Sequence, residues 1–212
     1  MLGTSPLIFQ CSALIVQIVT NNLLKIYGAK SIYGSEIPIA VAGIVMKINV
    51  IFIAILLGLT QGAQPIAGFN YGAKNFVKIK KILKTGFVFV FSLSTIIWIF
   101  MNYNISLIIG LFLKDERLLQ MATDSFRYVI LVFPILSFYY ICIYFFQSVG
   151  KEKYNFFLSI YRETLLYIPI VIIMVGRFGV LGAWISYPIV DFISAVTGLI
   201  LLLKTVKKIS TF

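Results

Sequence analysis

Six uninterrupted apolar stretches, each long enough to cross a bilayer, confine this 212-residue chain to one environment. They cover about 6–24, 37–58, 85–101, 128–149, 156–175 and 180–203. At a rise of ~1.5 Å per residue, a helix of about 20 residues matches the ~30 Å hydrocarbon core of a membrane. A barrel strand would alternate apolar and polar residues over about ten positions, and that period is absent here. With 60% hydrophobic and only 12% charged residues, and a mean hydropathy of +1.01, the chain lacks the polar side chains to cover a soluble domain. The expected fold is all-α: a polytopic membrane protein, one six-transmembrane-helix bundle forming a single transmembrane domain over 1–212. No basic residue precedes the first run and no small-residue cleavage site precedes Asn21 and Asn22, so it reads as a retained span rather than a signal peptide.

Basic residues in the links set the orientation. Lys74, Lys78, Lys80, Lys81 and Lys84, then Lys151 and Lys153, then Lys204, Lys207 and Lys208 all fall on one side of a six-span chain. The other side holds Lys25, Lys30, Lys114, Arg117 and Arg177, partly offset by Glu36, Asp115 and Glu116. The expectation is a multi-pass protein of the cell (plasma) membrane with both termini cytoplasmic. Its net charge of +11 then reflects topology and attraction to anionic headgroups, not a nucleic-acid partner. Between the third and fourth spans, Asn104 to Phe126 joins an apolar run, Ile105 to Leu113, to LKDERLL, and reads as an extracellular link with an interfacial helix.

Side-chain chemistry is sparse. The chain has no histidine, and Cys11 and Cys142 lie inside spans without partner spacing, which leaves no zinc or haem signature and no expected metal or cofactor. No nucleophile with a base stands out, so no catalytic residue is assigned and an enzyme is not expected. Four ionisable groups lie within the spans: Lys47, Arg162, Glu163 and Asp191. Each costs on the order of 2.5–3.5 kcal/mol at a helix centre and must find a partner, face the bundle interior or snorkel. Arg162 and Glu163, adjacent and so ~100° apart on an α-helix, are not expected to pair with each other. Charge balance pairs Lys47 or Arg162 with Asp191 or Glu163, either to fix helix register or to serve cargo or a coupling ion.

The first span adds a polar stripe of Gln10, Gln17 and Asn21, spaced seven and four apart on one helical face. It fits either interhelical hydrogen bonds or a wet cavity wall. In the fourth span Phe138, Tyr139, Tyr140, Tyr144, Phe145 and Phe146 offer packing surface or rings for flat organic cations.

The link from Gly58 to Lys74, with Gln61-Gly62, Gln64-Pro65 and Asn70-Tyr71-Gly72-Ala73, resembles the segment after the eighth helix of the multidrug and toxic-compound extrusion (MATE) family. Phe146-Gln147-Ser148-Val149-Gly150-Lys151, then Arg162, Pro169 and Tyr187-Pro188-Ile189-Val190-Asp191, are similar in order and spacing to that family's last three helices. Asn21-Asn22-Leu23-Leu24 fits its seventh. The resemblance covers nearly the whole chain and adds Gln147 to the candidate pathway residues. It also reads Gln64, Pro65, Asn70 and Gly72 as a turn between helices, and not as a phosphate cradle, because no Gly-Lys-Ser/Thr follows.

Members of that family have twelve helices in two lobes, and the likeness is to the second lobe alone. Met1-Leu2-Gly3 runs almost directly into a span, without the interlobe segment the family would have. The resemblance implies export of small amphipathic or cationic substrates across the lipid bilayer by antiport with Na+ or H+, the lobes rocking about a central cavity. It also implies a partner, an N-terminal six-helix lobe from the same gene or a separate chain. The sodium-coupled branch uses acids that include one on the seventh helix, where this chain has Gln10 and Gln17, so this half is expected to supply cargo cavity rather than the main coupling carboxylate. Two alternatives stay open: a lipid-linked oligosaccharide flippase of the same superfamily, and a truncated, non-transporting membrane fragment. Single cysteines replacing Lys80 or Lys153 should react with a membrane-impermeant maleimide only once the cytoplasmic side is opened, and one replacing Arg117 in intact cells; the opposite pattern would invert the topology.

Overall fold

The computed structural model describes residues 4–209, with side chains described over 11–208. All regular structure there is helical: α1 (Thr4–Gly28), α2 (Glu36–Gly72), α3 (Phe76–Tyr103), α4 (Ile105–Gly110), α5 (Glu116–Val129), α6 (Phe133–Ser148), α7 (Glu152–Ile160), a π-helical turn (Tyr161–Leu166), α8 (Tyr167–Phe178) and α9 (Val180–Ile209). Four helical units are long and apolar enough to cross a membrane: α2, α3, the continuous α7–π–α8 unit and α9. The pair α5–α6, bent by 54°, adds a fifth if it counts as one span. At 25 residues, α1 has the length of a span, although part of its side chains lies outside the described residues.

The helices pack as two groups. In one, α2, α3 and α6 contact one another; in the other, α1, α8, the π turn and α9 do. The two groups join chiefly where α6 lies on α9, while α5 bridges α2 and α9. Trp184, Tyr139, Phe126, Phe133 and Phe146, on α5, α6 and α9, are all fully buried. Outward faces remain apolar, as with Val50, Ile51 and Ile55 on α2 and Val88, Phe89, Ile96 and Phe100 on α3. That distribution suits lipid as the solvent, since lipid, unlike water, imposes no penalty on exposed hydrocarbon.

The glycine- and glutamine-rich stretch after Gly58 corrects the turn expected from its wording. Gln64, Pro65, Asn70 and Gly72 all belong to α2, a helix of 37 residues and so ~55 Å. Its small residues serve packing: a Cβ on Gly68 would lie 3.0 Å from the Ser148 carbonyl oxygen of α6, so α2 and α6 approach too closely for a larger side chain. The reversal is shorter and later. Lys74 adopts a left-handed conformation (φ 55°), the Ala73 and Lys74 amides donate to Phe69 and Tyr71, and the Asn75 side chain caps α3 by accepting from the Lys78 amide at 3.1 Å.

The fourth expected span is broken. Pro134, in the first turn of α6, lacks an amide proton, and its ring excludes the carbonyl four residues earlier, so the chain bends over 130–132. The apolar 105–113 region forms the short α4, which buries Ile105, Ile108 and Ile109 against the protein and leaves Leu107, Leu111 and Phe112 exposed.

At the α8–α9 reversal Gly179 takes φ 60°, and a Cβ on Gly182 would sit 2.1 Å from the Met174 carbonyl oxygen. Gly182→Ala should therefore lower stability by about 1–3 kcal/mol, as overpacking does. Gly58→Ala, with nothing within 4 Å, should hold or raise it by up to ~1 kcal/mol. Thermal unfolding in detergent separates the two, and equal midpoints would contradict the tight α8–α9 contact.

Candidate functional site

Three charged side chains meet inside the bundle. Arg162, on the π turn, donates from Nε and Nη2 to Asp191 Oδ1 of α9 at 2.9 and 2.7 Å. Its Nη1 also pairs with Glu163 Oε1. The side chains are nearly closed off, with exposures of 12% for Arg162, 15% for Glu163 and 5% for Asp191. One guanidinium thus faces two carboxylates, and when both acids are ionised the cluster carries a surplus negative charge.

Aromatic rings and hydroxyls wall it in. The Arg162 guanidinium lies 5.3 Å from the centre of the Tyr139 ring, whose hydroxyl donates to the Leu158 carbonyl of α7 at 3.3 Å. Tyr140 packs edge-on to Tyr139 at 5.4 Å. On the other flank Tyr167 of α8 sits 4.8 Å from Tyr187 of α9, and Thr20 of α1 donates to the Tyr167 hydroxyl at 3.3 Å. Three helical units, α6, α7–π–α8 and α9, therefore meet at one guanidinium, and α1 joins the flank through Thr20.

The Arg162–Asp191 pair is among those that charge balance allowed. The Arg162–Glu163 pair corrects the expectation that adjacent residues point apart. The π turn closes its hydrogen bonds from i to i+5 and so places more residues in each turn, which narrows the angle between consecutive side chains. A flexible arginine covers what remains. Pro169 of α8 supplies a local reason for the widening, because its ring excludes an α-helical carbonyl four residues earlier, at Leu165.

The other expected residues are not drawn into the cluster, Tyr140 excepted. Lys47 is exposed on α2 with no ion pair among the described residues; Gln17 and Gln147 are exposed and Asn21 is half-buried. The Gln10 side chain lies outside the described residues. Most aromatics of α6 pack: Phe138 contacts Phe87 and Phe91, and Phe146 stacks on Tyr154 at 5.1 Å. Thr20, Tyr139, Tyr167 and Tyr187 were not singled out for this site by sequence, although Tyr187 and Asp191, like Glu163 and Tyr167, are four apart and share a helical face.

The lobe encloses no cargo-sized space in the cavities it shows. One between α2, α3 and α6, beside the Gln61–Tyr144 hydrogen bond of 2.8 Å, measures about 50 Å³, and one between α3 and the α5–α6 bend about 200 Å³. Ligand sites usually measure ~300–1,000 Å³. No group of metal-ligating side chains occurs among the described residues. At one end of the bundle, Lys151 lies near enough to Lys208 for that charge, added to the larger effect of partial burial, to hold its ammonium below the usual lysine range. The α6–α7 link and the end of α9 thus share one face.

Removing Arg162 strands two buried carboxylates, at a cost of about 3–5 kcal/mol, whereas replacing the whole set with uncharged residues can be neutral. Arg162→Met alone should thus sharply lower the unfolding midpoint in detergent. The triple variant Arg162→Met, Glu163→Gln, Asp191→Leu should recover most of it; no recovery would mean that packing, not charge pairing, sets the cost.

The MatE family model matches residues 13–173. Protein DETOXIFICATION 56 of Arabidopsis thaliana is 28% identical over 162 residues, a match that takes in 76% of this chain and 33% of that protein. Probable multidrug resistance protein YoeA of Bacillus subtilis (strain 168) is 22% identical over 129 residues, or 61% of this chain and 28% of that protein. The chain thus spans about a third of the length of the curated relatives it matches. Among solved structures, an outward-facing multidrug resistance MATE family transporter of the MOP superfamily superposes with a TM-score of 0.89 at 19% identity, covering 99% of this chain and 46% of that one. An inward-facing one gives 0.86 at 18% identity, covering 99% and 47%. The fold corresponds to half of those chains, and by its sequence match this chain belongs to the MatE family.

Proposed function

We propose that this chain is one lobe of a secondary transporter that exports small cationic or amphipathic compounds by antiport with Na+ or H+. Its six spans begin and end on the cytoplasmic side of the cell membrane, and a companion six-helix lobe completes the cargo cavity. The observation that carries the reading is the Arg162–Glu163–Asp191 cluster: surplus negative charge and tyrosine rings on a helix whose regular winding is interrupted within the membrane. Irregular backbone at that depth belongs beside a cavity. Lys47 supports a wet face toward the companion, since an exposed mid-helix ammonium ~17 Å from the start of α2 needs water or a partner.

The cargo cavity forms between lobes, a reading supported by the small size of the two cavities described within this one. The main coupling carboxylate lies in the companion, and Glu163 and Asp191 serve the cargo side. A diphosphate-carrying flippase is disfavoured: its cavity wants free cations, and Arg162 is already matched by two carboxylates.

With the companion lobe co-expressed, cells should accumulate less ethidium than cells lacking the pair, and Glu163→Gln should reduce efflux several-fold. An inserted, intact pair that leaves accumulation unchanged would refute drug export. If this lobe alone moved protons or sodium in vesicles and Asp191→Asn abolished that flux, the coupling assignment would be wrong.

A further inference from the structure

We propose that the π-helical turn at Tyr161–Leu166 is a two-state register switch, held wide by Arg162 between Glu163 and Asp191 and released to α-helical winding when the Glu163 charge is neutralised. The inference rests on hydrogen bonding within the lobe and stands whether or not the lobe carries cargo.

Hydroxyls in the helices of this chain commonly satisfy themselves on a carbonyl one turn back. Ser137, Ser159, Ser186, Ser194 and Thr197 all donate to the carbonyl three or four residues earlier. Thr164, within the π turn, does not: its Oγ1 is buried without a partner. Winding the turn as α-helix would bring Oγ1 within reach of the Ile160 carbonyl, four residues back. Asn155 Oδ1, on the same helical unit, is also buried and unpartnered. Two of three such atoms among the described residues therefore lie on the α7–π–α8 unit. Leaving a buried polar atom unpaired is costly, so the observed winding is maintained against an alternative that would pair at least one of them.

Two features oppose that alternative: Pro169 disfavours an α-helical carbonyl at Leu165, and the clamp adds the force that shifts the balance to the wide turn. The wide turn lets Arg162 reach Glu163 beside it while holding Asp191 on α9. Charged and titratable groups facing Glu163 are Arg162 on its own turn, Tyr139 and Tyr140 on α6, Tyr167 on α8, and Tyr187 and Asp191 on α9; α1 contributes the uncharged Thr20. Only Glu163 is the surplus charge. Neutralising it leaves Arg162 and Asp191 as a balanced pair and removes the tie between neighbours that favours the wide turn. Tightening by one residue would rotate α7 against α8 by about 100° and shift it ~1.5 Å. That motion would carry Tyr154 off the Phe146 ring and break the Tyr139–Leu158 hydrogen bond.

The test places spin labels at Lys153→Cys on α7 and Lys204→Cys on α9, with Cys11→Ser and Cys142→Ala, in the full chain in lipid nanodiscs. Unaltered Glu163 should give one dominant distance. Glu163→Gln should move most of the population to a second distance. Deleting Leu165 removes the residue that the wide turn accommodates, so the turn winds as α-helix without rotating α7, and should hold the first distance alone even with Glu163→Gln. Adding Thr164→Val to Glu163→Gln removes the hydroxyl that gains a partner and should return a several-fold larger share to the first distance. A Glu163→Gln distribution matching the parent, a second distance that persists once Leu165 is deleted, or no effect of Thr164→Val would each overturn the switch.

Discussion

The pairing of Arg162 with Asp191 is the interaction on which the arrangement of the second helical group turns. It ties α9 to the α7–π–α8 unit deep within the lobe, while Tyr139 carries the same guanidinium onto α6 and so onto the other group. In lipid, packed helices gain little from hiding apolar surface, and association rests on close packing and on polar contacts that lack water as an alternative. A guanidinium there needs its partners more than a surface one does. The π turn follows from the same demand, because it lets one side chain serve a neighbour and a distant helix together.

The lobe thus divides its labour. Apolar residues face outward along α2 and α3, large aromatics are buried on α5, α6 and α9, and polar atoms concentrate where α1, α6, α8 and α9 meet. Solved transporters similar to this fold include an outward-facing and an inward-facing one, and the lobe superposes on both almost equally. A six-helix unit of this kind is therefore a common denominator of both shapes.

Much of this was legible in the residues. The apolar runs marked the helices, three of the four intramembrane charges marked the candidate cluster, and charge balance admitted the Arg162–Asp191 pair. What escaped was set by tertiary contact. Gln64, Pro65, Asn70 and Gly72 read as turn residues, yet they lie in a helix, where the nearby Gly68 lets α2 press against the Ser148 carbonyl. The Arg162–Glu163 pair was hidden by assuming uniform α-helical spacing, which the π turn violates. The bend before α6 was signalled by Pro134, but a run of apolar residues on both sides masked it. Thr20 carried no signal, since its role depends on where α1 meets α8.

The reversal between α2 and α3 occupies only residues 73–75, between helices of 37 and 28 residues. Two rods joined by so short a bridge have no slack. A tilt at the end of α2 is passed on to the start of α3, through a corner set by the Asn75 cap and the left-handed Lys74.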